Sequence, residues 1–324
     1  MKIALVGCGA IAPIHIKAIL ETNQDIVSLC DVDINKAQAL VDDFSLNSKI
    51  YTNFDQMIKN EKIDVVHICT PHYLHKEMII AAVKQSIHVL CEKPLCISRA
   101  QYQEIEKALL NNSAQVGVCL QNRYNQTTLK VKQAITYSEL VSGEGKVLWN
   151  RKGDYYLKSN WRGTWDKEGG SVLINQAIHT IDLLVHFLGE PDEVLAHYAN
   201  KKHQQEIETE DEVELQCFGK KSFNLSATTS AEYDQPAYIT LKTQTRDITF
   251  DSHHLTINGT TKKTGVINYE GKYVWGDGHR ALIKDFYFHI KNNKPFPIDI
   301  KEAYKSLAIV FMAYSHNGKK IKIK

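Results

Sequence analysis

Lys2-Ile3-Ala4-Leu5-Val6-Gly7-Cys8-Gly9-Ala10-Ile11-Ala12 is a short apolar run that leads straight into a glycine turn. The run reads as a buried strand, and a helix is expected from about residue 11 to 21. Gly7 to Ala12 fits G-x-G-x-x-A. The first glycine of that pattern permits the tight turn, and the second lets backbone approach a pyrophosphate. The alanine lets the helix pack closely on the sheet. Free N–H groups at the helix start then face the phosphates. Asp31 ends the next strand, 22 residues after Gly9. A carboxylate there accepts hydrogen bonds from a ribose diol and repels a 2′-phosphate, so the cofactor expected is NAD rather than NADP. Gly7, Gly9, Ala10, Ile11 and Asp31 are therefore read as cofactor-binding. The alternative is a tight strand–helix turn with no ligand.

Strand and helix go on alternating to residue 120. Strands are expected at Lys2–Val6, Ile26–Asp31, Asp64–Cys69, His88–Cys91 and Val116–Leu120. Helices are expected at about 11–21, 35–44, 54–59, 74–85 and 98–110, with Asp33 and Ser98 placed to cap two of them. Short apolar strands with helices between them imply a doubly wound parallel sheet, an α/β domain over residues 1–120. After residue 121 the pattern changes. Strands are expected at Gly145–Asp154, Asp192–Asn200, Val213–Phe218, Ser222–Thr229, Ala237–Gln244, Arg246–Phe250 and His254–Ile257. Asn258-Gly259 is a hairpin-type turn. Strands in succession imply an α+β second domain over residues 121–324 with a mainly antiparallel sheet. Helices at 171–188 and about 279–291 are expected to cover one face of it. Ala303–Ser315 reads as a last helix and Lys319–Lys324 as a frayed or edge strand.

The length of 324 residues suits two domains. Its 39 basic and 37 acidic residues leave a net charge of +2, too small to imply a nucleic-acid or membrane partner. Apolar runs are short, and the first one ends in a glycine turn rather than a cleavage site, so a cytoplasmic protein is expected. Seven cysteines, an odd count without a Cys-x-x-Cys pair, argue against a disulfide framework or zinc site.

Three further stretches carry chemistry. Thr70-Pro71-His72-Tyr73-Leu74-His75 follows the third strand, at the sheet end where cofactor and substrate meet. Thr70, Pro71, His72 and His75 are read as a wall beside the nicotinamide. Metal ligation by the two histidines is the other option, but no carboxylate or third histidine lies nearby, and no metal is expected. Glu92-Lys93-Pro94 follows the fourth strand and points to the same crevice, so Glu92 and Lys93 are also read as cofactor-binding. A partly desolvated Lys93 can hydrogen-bond a reacting oxygen, and Pro94 can aim it through a sharp turn, even a cis bond. A solvated surface lysine is the plain alternative. Gly169-Gly170-Ser171-Val172-Leu173-Ile174-Asn175-Gln176-Ala177-Ile178-His179-Thr180-Ile181-Asp182 reads as a buried helix carrying a polar stripe. Asn175, His179, Asp182 and His186 recur at steps of four, three and four, which keeps them on one face. His179 suits a general base near neutral pH. Asn175 is placed to hold a hydroxyl, and Asp182 to orient the imidazole. A solvated face of an amphipathic helix would show the same spacing.

Arg123, Arg151, Lys152 and Arg162 open the second domain, and Trp161-Arg162-Gly163-Thr164-Trp165 offers a stacking surface with a cation. Sugars stack on aromatic faces and arginines clamp phosphate or carboxylate. Arg123, Arg151, Trp161, Arg162, Asn175 and His179 are read as substrate-binding; a packed loop with surface arginines is the alternative. Gly276-Asp277-Gly278-His279 is placed to cap a helix or to reach the site.

The glycine fingerprint, Thr70-Pro71, Glu92-Lys93-Pro94 and the Gly169–Asp182 block occur in one order. In this the chain resembles the glucose–fructose oxidoreductase and inositol dehydrogenase family, Gfo/Idh/MocA, over nearly its whole length. The resemblance implies a Rossmann domain, a second domain with a large open sheet, and homodimers or homotetramers joined through that sheet. It implies sugars, nucleotide sugars, cyclitols or their keto forms as substrates. Lys93 matches the family lysine that contacts the reacting hydroxyl, and His179 matches the catalytic histidine. Asn175 departs from the aspartate common in inositol-dehydrogenase-like members, and an amide cannot replace a carboxylate base. Members acting on UDP-activated amino sugars look like relatives. The expectation is an NAD-dependent dehydrogenase with Lys93 and His179 catalytic. A non-catalytic NAD(H)- or sugar-binding regulator on the same fold is the alternative, and the presence of both Lys93 and His179 weighs against it.

Overall fold

The computed structural model describes residues 1–264 and 276–323. They fall into two compact units. The first comprises Met1–Leu120 and His279–Ala303, and the second the described residues of Gln121–Gly278 and Tyr304–Lys324.

The first unit alternates as the sequence implies: β1 (Lys2–Val6), α1 (Ala12–Leu20), β2 (Asp25–Cys30), α2 (Ile34–Asp43), β3 (Lys49–Tyr51), α3 (Phe54–Asn60), β4 (Val65–Ile68), α4 (His75–Lys84), β5 (His88–Cys91), α5 (Arg99–Leu109) and β6 (Val116–Val118). Its six strands are parallel, in the order β3-β2-β1-β4-β5-β6, the arrangement of a doubly wound sheet. The inner strands are apolar throughout because both faces are covered; β4 is buried at every position. Asp33 caps α2 by accepting the Asn35 N–H at 3.1 Å, and Ser98 caps α5 by accepting the Gln101 N–H at 3.3 Å. The three-residue edge strand β3 is not among the expected elements, being too short for any periodicity to register.

The second unit contains α6 (Gln126–Ala134), β7 (Leu140–Leu148), α7 (Gly153–Leu157), α8 (Ile178–Leu188), β8 (Glu193–Ala199), β9 (Glu212–Phe218), β10 (Ser222–Thr228), β11 (Tyr238–Thr243), β12 (Asp247–Phe250), β13 (His254–Ile257) and β14 (Thr260–Lys263). With β15 (Ile321–Lys322) they form a nine-stranded sheet, β14-β13-β12-β11-β7-β10-β9-β8-β15, antiparallel except where β10 meets β7. Alternation in β9 buries Val213, Leu215 and Cys217. Asn258 and Gly259 make the β13–β14 turn with positive φ, 51° and 77°. The strand expected at Gly145–Asp154 is shifted: β7 starts at Leu140, and Gly153 and Asp154 belong to α7. Gly143 and Gly145 look like breaks in the sequence, yet each admits a side chain of α8. A Cβ at Gly145 would lie 2.6 Å from Thr180 Cγ2, and one at Gly143 2.7 Å from Leu188 Cδ1.

After the second unit the chain continues with α9 (Gly278–Lys291) and α10 (Ile300–Ser315). From His279 onward α9 packs in the first unit instead of covering the nine-stranded sheet. The reason lies at β6, where Phe286 and Phe296 press on Gly117, each 2.9 Å from where a Cβ would stand. The Val118 N–H also donates to Ile298 O at 3.0 Å. All seven cysteines are free and buried. Among the described residues no helix is long and apolar enough to cross a membrane.

Candidate active site

In the first unit, Gly7 has φ +90°, and its N–H donates to Cys30 O at 2.8 Å. A Cβ there would lie 2.6 Å from the Cys69 backbone, so only glycine fits the turn. Gly9 has no atom within 4 Å of an added Cβ, and Gly9 and Ala10 are exposed beside half-buried Ile11. The first turn of α1 carries neither a side-chain cap nor an acidic residue. An open, uncapped helix start next to a glycine turn fits a dinucleotide pyrophosphate. Asp31 is half-buried. Its Oδ2 accepts the Cys8 N–H at 2.7 Å and its Oδ1 the Asp33 N–H at 2.9 Å, which holds the carboxylate at the rim of the turn.

Thr70, Pro71 and Lys93 are half-buried, whereas His72, His75 and Glu92 are buried. His75 spans two loops: its Nδ1 lies 2.7 Å from Pro94 O and its Nε2 2.9 Å from Thr70 O. Its ring therefore locks the Thr70 loop to the lysine loop and offers no face to a ligand or metal. The Lys93–Pro94 bond is cis.

In the second unit the expected single helix at 171–188 is two pieces. Val172–Gln176 forms a π-helical turn, with the Ala177 N–H donating to Val172 O at 2.8 Å, and α8 follows. Gly169 and Gly170 lead into it with φ 83° and 133°. The turn's first N–H groups are satisfied by a distant carboxylate. Glu210 accepts from Ser171 N at 3.1 Å, Leu173 N at 3.0 Å and Tyr314 Oη at 2.5 Å. Burial pushes the Glu210 carboxyl upward, against these donors.

Asn175, His179 and His186 are half-buried on an otherwise buried segment, while Asp182 is 1 % exposed. Asp182 has a close partner from another element. It binds Arg123 in a bidentate pair, Nε at 2.8 Å and Nη2 at 2.7 Å. Arg123, 7 % exposed, is thereby committed to the helix rather than presented to substrate. Gln121 stands beside His179, with Nε2 to Nε2 3.3 Å, so the amide donates to the imidazole lone pair. His179 lines an open cleft with Gln176, Trp149, Asn122, Phe250 and Asp251.

Asn175 Nδ2 donates to Glu168 Oε1 at 2.5 Å and lies 3.5 Å from Tyr155 Oη, which also accepts from Gln176 Nε2 at 2.9 Å. Glu168 is fully buried, and burial pushes its carboxyl up to about 7 despite the Gly163 and Asn175 donors. Arg151 and Arg162 lie over the Tyr155 ring at 5.6 and 4.4 Å; Arg162 also lies 5.1 Å from the Trp161 ring. Three of the expected substrate residues thus gather around a tyrosine that sequence reasoning passed over. Gln121, Tyr155, Glu168, Gln176 and Glu210 were missed, because nothing local marks a polar residue whose partner is far along the chain.

Residues 1–120 match the model of an oxidoreductase family, NAD-binding Rossmann fold, and residues 129–262 match the GFO/IDH/MocA C-terminal domain. The chain is 28% identical over 143 residues to inositol 2-dehydrogenase of Salmonella typhimurium, covering 43% of each protein. It is 27% identical to D-glucoside 3-dehydrogenase of Escherichia coli over 195 residues, 59% of this chain and 55% of that protein. The matched segments thus span about half the length of these relatives. The WlbA dehydrogenase of Bordetella pertussis, solved with NADH and UDP-GlcNAcA, superposes with a TM-score of 0.86 at 23% identity, covering 100% of this chain and 98% of that one. With both of its characteristic domains matched in sequence order, the chain belongs to the GFO/IDH/MocA oxidoreductase family.

Proposed function

We propose that this protein is an NAD-dependent dehydrogenase that oxidises a ring hydroxyl of a sugar, nucleotide sugar or cyclitol, or reduces the corresponding ketone. The observation that carries the reading is His179, half-buried on a cleft wall in a chain whose cofactor domain keeps an open glycine turn, Asp31 and Lys93. The named activities of the relatives, on inositol and on glucosides, support the substrate class. Bound NAD supplies the hydride acceptor. Gly7, Gly9, Ala10, Ile11 and Asp31 hold it, with Thr70, Pro71 and His72 as the neighbouring wall. Lys93 donates a hydrogen bond to the reacting oxygen and stabilises charge developing there. His179 takes the hydroxyl proton at Nε2, displacing the Gln121 amide from that lone pair. Asn175 and Gln176, tied together through Tyr155, orient neighbouring hydroxyls, and Arg151, Arg162 and Trp161 contact the remainder of the substrate. The chain acts in the cytoplasm, in keeping with seven free buried cysteines, and assembles as a homodimer or homotetramer through its large sheet.

The test is a screen of cyclitols, aldoses and UDP-sugars with NAD, following NADH absorbance. Turnover of at least one polyol is expected. Tight NADH binding with no turnover on any of them would favour a cofactor-binding regulator. Sedimentation of the same preparation reads the oligomeric state; a monomer at micromolar concentration would remove the assembly claim.

A further inference from the structure

The π-turn at Val172–Gln176 is gripped by two side chains from distant parts of the second unit. Glu210, 1 % exposed, stands on the loop before β9. Its Oε1 accepts the N–H of Ser171 at 3.1 Å, the N–H of Leu173 at 3.0 Å and the Tyr314 hydroxyl at 2.5 Å. Tyr314, next to last in α10, accepts the Ile174 N–H at 3.3 Å. Both anchors are themselves fixed. Asp211, beside Glu210, accepts the N–H groups of Lys201, Lys202 and His203 at 2.8, 2.7 and 3.2 Å and so folds the loop that carries Glu210. The Tyr314 ring stands edge-on to Trp165 and Tyr198, with centroids 5.1 and 5.7 Å apart. It reaches the turn because residue 170 is glycine; a Cβ there would lie 2.2 Å from Tyr314 Oη.

The other end of the segment is pinned as well, where Thr180, Leu184 and Leu188 of α8 fill the spaces over Gly143 and Gly145. Between two fixed ends the chain carries one residue more than an α-turn takes, and the Ala177 N–H bonds Val172 O across five residues. The wide turn shows in its two amides. In an α-helix successive side chains stand about 100° apart and do not face one another. Yet Asn175 Nδ2 and Gln176 Nε2 both reach Tyr155 Oη, at 3.5 and 2.9 Å, and Gln176 shares the cleft wall with His179. We propose that Glu210 and Tyr314 are positioning residues that hold this turn in its wide form and thereby bring Asn175 and Gln176 to one side, where they orient the substrate. Neither residue touches substrate or cofactor. The part played by the two amides rests on the function proposed above; the grip on the turn is measurable without turnover.

The experiment centres on Tyr314→Phe, which keeps the ring and removes the hydroxyl that Ile174 and Glu210 share. Amide hydrogen exchange, read by peptide mass, is expected to rise about tenfold or more across residues 172–177 and to stay unchanged across 181–188. A crystal structure of the variant is expected to show the Ala177 N–H on Leu173 O in place of Val172 O. With a polyol that turns over, KM is expected to rise about tenfold or more while kcat stays within about threefold, because His179 lies beyond the turn. NADH affinity should not move. Glu210→Gln, whose amide oxygen can take all three donors of Oε1, should behave as wild type, whereas Glu210→Ala should match Tyr314→Phe or exceed it. In an Asn175→Ala/Gln176→Ala background, Tyr314→Phe should leave KM where it is. Unchanged exchange in folded Tyr314→Phe overturns the proposal. So does faster exchange with KM unmoved, or a fall in kcat at constant KM, which would mean a general loosening of α8. Should Glu210→Ala fail to fold, Tyr314→Phe and Glu210→Gln decide the matter. A wild-type protein that turns over no polyol sinks the dehydrogenase reading, and the exchange result then decides the grip on the turn by itself.

Discussion

Glu168 stands 0 % exposed and holds its proton to about pH 7, against an ordinary value of 4.5 in the unfolded chain. Between those values the folded state binds more protons than the unfolded one. Its contribution to stability is therefore full below about 4.5 and is lost as pH rises through about 7. The gap corresponds to on the order of 3 kcal/mol for a fully buried group. Glu168→Gln should flatten the fall in melting temperature between pH 5 and pH 8. Glu210, also pushed up by burial, acts in the same direction and leaves a residual slope. A variant with the wild-type slope would show that Glu168 is ionised throughout. Other single residues carry the proposed chemistry. NADH is expected to bind at least tenfold more tightly than NADPH, about 1.4 kcal/mol, and Asp31→Ser to narrow that gap. Equal affinities in the wild type would mean that Asp31 serves only the glycine turn it already holds through Cys8. Lys93→Met and His179→Asn should each lower turnover by a factor on the order of 100 or more while NADH binding persists. Wild-type turnover in either variant would take that residue out of the mechanism.

At the scale of elements, α8 is held by the glycines beneath it. The Thr180, Leu184 and Leu225 side chains fill the space where a Gly145 side chain would stand, at 2.6, 3.1 and 3.1 Å from its Cβ. Gly145→Ala should destabilise the protein by about 1–3 kcal/mol through overpacking. It should also disturb polyol kinetics, since α8 carries His179. An unchanged melting temperature would show that α8 shifts freely over β7. The same pair of elements shows where sequence reading stops. The strands of the first unit announce themselves because both sheet faces are covered and each is a short apolar run. In β7 two of the inward positions, 143 and 145, are glycines, so the periodic signal weakens where the packing is closest. The π-turn is invisible for a related reason. Its residues are as apolar as those of an α-helix, and the carboxylate that accepts from its Leu173 N–H, Glu210, lies 37 residues downstream. The polar stripe at 175, 179, 182 and 186 was legible as a set, but its division of labour was not. Arg123 claims Asp182 across 59 residues, and Glu168 claims Asn175 from the glycine loop just before the turn.

Across the whole molecule, the chain returns to complete the first unit after building the second. No local pattern marks that return, because an amphipathic helix at 278–291 suits either sheet equally well. The consequence is that residues 1–120 do not contain a finished cofactor domain, although the family match covers that span. Without the returning segment, β6 loses the Ile298 carbonyl that accepts from Val118, and Gln115 loses the Lys294 carbonyl and the Phe296 N–H. Gly117 loses the rings of Phe286 and Phe296, and His67 loses the Tyr287 hydroxyl. Each hydrogen bond lost in this way typically destabilises by about 0.5–1.5 kcal/mol, and the stripped apolar surface adds to that. A whole domain is held by only about 5–15 kcal/mol. A fragment ending at Leu120 should therefore lack a cooperative thermal transition and bind NADH at least tenfold more weakly than the full chain. The same fragment joined by a flexible linker to residues 279–303 should recover both properties. If the short fragment melts cooperatively near the full-length temperature, the returning helix is an accessory to the cofactor domain and not a part of its core.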